Sequence, residues 1–397
     1  MELDVPSREF YFNEIREFAI SQQMNSKQIH LPQYLDYAST TPLDPLVFEA
    51  MTPYFLEDFG NAASTTHTYG ERAAKAVKQS RQLIADAINA LPEEIHFTSG
   101  ATEAINLALK GAFLTYRHQN PHIITAQTEH KAVLDTCAYL EEIGAEVTYL
   151  PVDPEGLIDL AQLEASIRKD TLLVSIMVAN NETGVLQEIK EIGKICQSKG
   201  VWFFTDATQA FGKVPIEVLN TSIDMLCFSA HKIYGPKGIG GLYVKKGIQL
   251  TPQIHGGGHE FGLRSGTLNV PGIVGLAKAT QLCLEGMEET YGRLKNIRDD
   301  FESEMEKAGN IKVNGKNAPR LPHFSNFQLL NEEAEAFILR NRNKIAVAQG
   351  SACNSALVQP SHVLKAMGLN DKDAENSIRV SWGLKLESKY SNLNILF

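Results

Sequence analysis

Between residues 94 and 244, short apolar runs alternate with amphipathic helical stretches, and this rhythm leaves the chain few architectures. Strands are predicted at 94–98, 122–125, 146–150, 171–178, 201–205, 224–228 and 240–244. Helices are predicted at 67–90, 131–143, 160–168 and 189–199, where apolar residues recur three and four apart. Runs that are apolar throughout, such as Leu172-Leu173-Val174 and Trp202-Phe203-Phe204, need cover on both faces. An α/β fold follows, with a mostly parallel sheet flanked by helices. Ligands of such sheets gather beyond the carboxyl ends of the strands.

A helical region at 271–308 breaks the rhythm. Strands at 311–313, 323–327, 344–348 and 377–381, with a helix at 332–340, then describe a smaller C-terminal α/β domain. The expected division is an N-terminal extension at 1–31 with a short helix at 10–18, a large domain at 32–284 and a small domain at 285–397. A length of 397 residues is ample for this. The net charge of -10 argues against a surface that tracks a nucleic-acid backbone throughout. No apolar run reaches the length of a membrane span, and the N-terminus lacks the order of a secretory signal, so no membrane contact and a cytoplasmic site are expected. The five cysteines, Cys137, Cys196, Cys227, Cys283 and Cys353, are widely spaced without a CxxC, which indicates neither a disulfide framework nor a metal site.

Four strand ends carry chemistry. Thr98, Ser99 and Gly100 lead into a helix beginning near Ala101 and Thr102, a natural anion site for a phosphate. Taken alone, an N-cap with a tight turn accounts for this at least as well. Ser229, His231 and Lys232 follow an apolar strand, with Lys232 among aromatic, glycine and proline residues that would desolvate its amine. A lone lysine is ordinarily solvated; the nearby Ser229 and His231, both able to hold an anion, change the balance. Asp206 emerges from an apolar strand and needs a positive or protonated partner, although Asp206 with Gln209 also fits a capping box. His130, at a fourth strand-to-helix junction, is either a buried hydrogen-bonded histidine or a flat ring over a flat cofactor.

An anion cradle, an imidazole, a carboxylate and an amine at neighbouring strand ends describe a pyridoxal phosphate pocket. There the phosphate meets the helix start, the acid the ring nitrogen and Lys232 the aldehyde carbon. Beyond it, Gly350-Ser351-Ala352 before Cys353 predicts an exposed or mobile loop around that thiol. Arg379, in a late strand, is a fork suited to a substrate carboxylate.

These segments, together with Leu35-Asp36-Tyr37, Thr128-Glu129-His130-Lys131, Asn180-Asn181-Glu182-Thr183-Gly184, Gly256-Gly257-Gly258-His259-Glu260 and Arg264-Ser265-Gly266-Thr267, run in order over about residues 32–383. The sequence resembles the NifS/IscS-like cysteine desulfurases, fold-type I pyridoxal phosphate enzymes of the class-V aminotransferase set. The resemblance implies that Lys232 binds the cofactor and moves the substrate Cα proton. It implies that Asp206 pairs with the ring nitrogen, Gln209 with the ring oxygen, and that His130 stacks on the ring. Ala101, Thr102, Ser229 and His231 would hold the phosphate, with Thr267 reaching in from the other subunit of a homodimer. Asn181 and Arg379 would grip the substrate. The implied reaction converts L-cysteine to L-alanine and leaves a persulfide on Cys353 for a sulfur-acceptor or scaffold protein, serving iron-sulfur clusters, thiolated tRNA or modified DNA.

The other four cysteines match no role and are read as packing residues. Ala62 and Val178 stand where close relatives often carry proline and histidine. Only fourteen residues follow Gly383, where such relatives continue for several dozen; cover from the N-terminal extension or another protein is expected. Two alternatives stay open. One is another enzyme of the fold, such as a selenocysteine lyase or an aminotransferase, which does not need the Cys353 thiol. The other is a non-catalytic subunit of a sulfur-modification complex, against which Lys232, Asp206, His130 and Cys353 argue.

Overall fold

The computed structural model describes residues 31–119, 121–349 and 360–384. The helix expected at 10–18 and Cys353 lie outside the described residues. The chain enters through β1 (Gln33–Tyr34), α1 (Pro45–Met51), α2 (Pro53–Leu56) and the long α3 (Thr68–Ala87). Next come β2 (Ile95–Thr98), α4 (Ala101–Tyr116), β3 (His122–Ala126), α5 (Lys131–Glu142), β4 (Glu146–Leu150), α6 (Leu160–Ser166) and β5 (Thr171–Ser175). The series continues with α7 (Ile189–Lys199), β6 (Trp202–Asp206), β7 (Met225–Ser229) and β8 (Gly240–Val244).

These strands form a seven-stranded sheet in the order β2-β8-β7-β6-β5-β3-β4. Among them β8 alone points opposite to the other six, so the sheet is mostly parallel as expected. Apolar clusters cover both faces. One joins α3 and Phe203, Leu226 and Phe228; the other joins α4, α5 and Phe204, Met225 and Cys227. Successive strand residues therefore face opposite cores, which explains why the strands read as continuous apolar runs.

The second part comprises α8 (Val270–Glu285), α9 (Met287–Lys307), β9 (Ile311–Val313), β10 (Phe324–Leu329), α10 (Ala334–Asn341), β11 (Ile345–Ala346), α11 (His362–Ala366), α12 (Asp371–Glu375) and β12 (Ser377–Ser381). A three-stranded antiparallel sheet, β12-β10-β9, packs on α9 around Phe301, Phe327, Phe337 and Trp382. Leu35, beside β1, joins this core, and β1 pairs with β11. The N-terminal end of the described chain is thus stitched onto the second part.

Several expected boundaries shift. The helical region at 271–308 divides at Gly286, whose ψ of 15° ends α8 before α9 begins. The strand expected at 171–178 stops at Ser175, although Ile176 and Val178 still donate to the carbonyls of Phe204 and Asp206. The strand expected at 344–348 shrinks to β11. No helix follows Asp206, so the capping-box reading is corrected. The Gln209 amide donates instead to the Ala38 carbonyl at 2.9 Å, and Asp206 Oδ1 accepts from Thr208 N at 2.8 Å.

Candidate active site

The carboxyl ends of the strands, with the segments that follow them, build one pocket of about 530 Å³. Ala101, Thr102, His130, Asn181, Asp206, Gln209, Ser229, His231, Lys232 and Arg379 all line it. Register explains part of this convergence. Thr98 and Ser229 both pair with Gly240, which aligns the ends of β2 and β7 across β8. A Cβ on Gly240 would lie 2.5 Å from the Phe228 carbonyl oxygen and 2.8 Å from Gly100 Cα. The close approach of the β2–α4 turn therefore requires glycine there.

That turn leaves the start of α4 without a side-chain cap. Thr98 Oγ1, one of the hydroxyls that could have capped it, donates to the Gly100 carbonyl at 2.9 Å. Gly100 has φ 152°, and a Cβ there would approach Ser229 Oγ at 3.7 Å. The first N–H groups of α4 thus open into the pocket beside Ser229, the arrangement an anion needs.

Lys232 lies in a short turn after β7, and its Nζ donates to the carbonyls of Ala38 and Ser39 at 2.6 and 2.7 Å. His231 Nδ1 is 3.2 Å from Thr40 Oγ1; burial, then the positive charges of Lys232, Lys237 and Lys213, push its pKa down to about 4. Asp206 ends β6 almost fully buried, and Cys227 Sγ donates to its Oδ1 at 3.5 Å. Cys227 is therefore more than packing: it touches the acid of the site.

His130 caps α5, with Nδ1 accepting from Ala132 N at 3.0 Å. Burial lowers its pKa, partly countered by Asp206, so the neutral ring carries its proton on Nε2. The histidine is both hydrogen-bonded in the fold and a wall of the pocket.

Arg379, 3% exposed, donates from Nη1 to the Asn181 carbonyl at 2.6 Å and from Nη2 to Asp36 Oδ1 at 2.6 Å and Ser39 Oγ at 2.7 Å. Its Nε, Asn181 Oδ1 and Gln209 Oε1 are buried without a hydrogen-bond partner. Thr267 is exposed and does not line the pocket of its own chain. Sequence reasoning missed the first wall, Ala38, Ser39 and Thr40, together with Met177 and Ala179. Asp36 was visible only as part of a matching segment, with no role attached. Cys137 and Cys196 are buried, with thiol pKa values pushed up to about 12 chiefly by burial, as packing residues should be.

The aminotransferase class-V family model matches residues 33–391. The chain belongs to this family. Within it the similarity is to the NifS/IscS-like group. The cysteine desulfurase IscS of Neisseria meningitidis serogroup C is 49% identical over 357 residues, 89% of this chain and 88% of that protein. A NifS-like protein of solved structure superposes with a TM-score of 0.85 at 35% identity, covering 92% of this chain and 98% of its own. A structure described as SspA in complex with cysteine superposes at 0.79 with 39% identity, covering 88% and 98%. The class-V chain thus has the fold-type I architecture, an architecture associated with pyridoxal phosphate. Its residues fit that cofactor: an uncapped helix start for a phosphate, a buried carboxylate for a ring nitrogen, a Gln209 amide with one N–H left to donate to a ring oxygen and a lysine amine share one pocket.

Among the described residues no helix is long and apolar enough to cross a membrane.

Proposed function

We propose that the chain is a pyridoxal phosphate-dependent cysteine desulfurase that converts L-cysteine to L-alanine and hands the sulfur to an acceptor through Cys353. The observation that carries this reading is the convergence of Lys232, Asp206, His130 and the open start of α4 on one pocket. The SspA structure, with its bound cysteine, supports the choice of substrate.

Ala101, Thr102, Ser229 and His231 would hold the cofactor phosphate, with Thr267 of a second copy completing the cup in a homodimer. The bound cofactor supplies an electron sink beside the substrate Cα. Asp206, buried and therefore in need of a positive partner, keeps the ring nitrogen protonated. His130 covers the ring face, and the Gln209 side chain meets the ring oxygen. Lys232 moves the proton at the substrate Cα; the carbonyls of Ala38 and Ser39 hold its amine within the pocket. Arg379 Nε, the second N–H of its Nη1 and the Asn181 side-chain NH2 are the donors left for the substrate carboxylate, because Asp36 and Ser39 take both N–H groups of Nη2 and the Asn181 carbonyl takes one of Nη1.

The thiolate of Cys353 attacks the substrate sulfur. A sulfur–sulfur bond forms, the carbon–sulfur bond breaks, and its electron pair leaves with the carbon skeleton, which is protonated to alanine. An acceptor thiol then takes the outer sulfur and frees Cys353. Such chemistry suits the cytoplasm, where thiols stay reduced.

The test supplies L-cysteine with a thiol reductant and counts sulfide and alanine, which should appear in equal amounts. Cys353→Ser stops turnover while the visible absorbance of bound cofactor remains. Full sulfide release by Cys353→Ser refutes the persulfide step and leaves a lyase. Lys232→Ala should lose both the absorbance band and activity.

A further inference from the structure

Behind the Lys232 turn lies a second cavity of about 120 Å³ that shares no lining residue with the catalytic pocket. It opens where α8 and α9 meet at Gly286, and Ile233, Tyr234, Leu282 and Leu294 make it largely apolar. Two polar side chains on its wall are out of keeping with that lining. Lys213 is 6% exposed and His323 is 2% exposed, and Lys213 Nζ and both His323 ring nitrogens have no hydrogen-bond partner.

Buried polar atoms are otherwise almost always paired. Of the other polar groups on the wall, Asp44 Oδ1 accepts from Leu46 N at 2.8 Å, Tyr234 Oη accepts from Leu384 N at 2.6 Å, and Cys283 Sγ donates to the Ile233 carbonyl. Burial, reinforced by Lys232, lowers the Lys213 pKa to about 7, so the cavity as it stands disfavours the ammonium; an anion would reverse this. The volume is several times the roughly 30 Å³ share of one water, and near that of cavities that take a ligand of about six heavy atoms.

We propose that this cavity binds a small monocarboxylate with a short aliphatic chain, its carboxylate accepting from Lys213 and His323 and its chain lying on the apolar wall. The inference is independent of the desulfurase reading.

The test titrates the purified full-length protein with sodium butanoate by calorimetry and follows the melting temperature, with butan-1-ol and butylamine as probes lacking the negative charge. Butanoate should bind once per chain at this site and raise the melting temperature. Butan-1-ol should bind at least about tenfold more weakly, the cost of losing charge-assisted hydrogen bonds, and butylamine not at all. Lys213→Met should abolish this binding and, by removing an unpaired buried amine, raise the melting temperature of the free protein. His323→Leu should weaken binding at least about tenfold. Ala279→Leu, which fills the cavity from α8 and leaves both polar groups intact, should also abolish it, so the test survives if one variant does not fold. Carboxylate binding at Arg379 would persist in all three variants and is thereby told apart. Butanoate binding unchanged in Lys213→Met and Ala279→Leu, no saturable binding up to about 10 mM, or ordered water alone in the cavity of a butanoate-soaked crystal would overturn the proposal.

Discussion

Glu260→Gln should destabilise the protein by about 3 kcal/mol, near the lower end of the range for leaving one buried charge unpaired. Glu260 pairs with Arg81 through two bonds, Nη1 to Oε2 at 2.8 Å and Nη2 to Oε1 at 2.6 Å, with side-chain exposures of 0% and 10%. Unit charges about 4 Å apart in a medium of effective dielectric about 20 attract by about 4 kcal/mol. Glutamine keeps the shape but loses the charge, and its amide must also meet Phe97 N, which now donates to Oε2 at 2.6 Å. Arg81 cannot easily turn out to water, because it lies over the rings of Phe97 and Phe261 and donates to the Ile95 carbonyl. The pair also holds Glu260 and Phe261 at φ of 50° and 57°, a left-handed conformation that non-glycine residues adopt at a cost. Equilibrium unfolding in urea measures the loss, and Arg81→Met with Glu260→Met closes a double-mutant cycle. The double variant should be more stable than either single variant, since it leaves no orphaned charge. A loss below about 1 kcal/mol in Glu260→Gln, or a double variant as unstable as the two losses added, would refute the reasoning.

Burial holds the His96 pKa at about 4, so the unfolded chain takes up a proton near pH 6.5 that the folded chain refuses until about pH 4. Stability should therefore fall as the pH drops through that window, by about 3 kcal/mol at its lower end, and comparing urea unfolding of the parent and His96→Gln at pH 7 and pH 4.5 isolates the share of this residue; equal slopes in the two would contradict it. Gly240→Ala drives a Cβ into the Phe228 carbonyl and Gly100, so it should cost about 2 kcal/mol and, by displacing the β2–α4 turn, weaken cofactor binding. A parental melting temperature together with a parental visible spectrum would show that the turn can yield.

Local chemistry made most of the fold legible. Strands β3, β6, β7 and β8 lie within a residue or two of their apolar runs, because each is buried almost throughout on both faces; β4 also lies where expected, although it is a half-exposed edge strand that begins at an exposed Glu146. The shortened strand at 171–178 shows the limit. Ile176 and Val178 are as apolar as a strand requires, but the chain turns away to bring Met177, Ala179 and Asn181 to the pocket, and burial in a loop looks the same in sequence as burial in a sheet. The Asp206–Gln209 spacing misled for a related reason. It suits a helix start, and what redirected Gln209 was a carbonyl at residue 38.

Those long connections explain why the site was read only in part. Lys232, Asp206, His130 and Ser229 follow strong strand signals, and their side-chain types state their chemistry. Their supports carry no such mark. The two groups that hold the Lys232 amine are main-chain carbonyls 194 and 193 residues away, and any residue type could have supplied them. Arg379 looked like a free fork, but Asp36 and Ser39, 343 and 340 residues distant, and the Asn181 carbonyl hold both of its ends. What such a residue can offer a substrate is set by the donors left over, here Nε and one N–H of Nη1, and that remainder exists only once the chain has closed on itself. The same holds for Lys213 and His323, unremarkable in sequence, which become conspicuous only as buried polar groups without partners on one apolar wall.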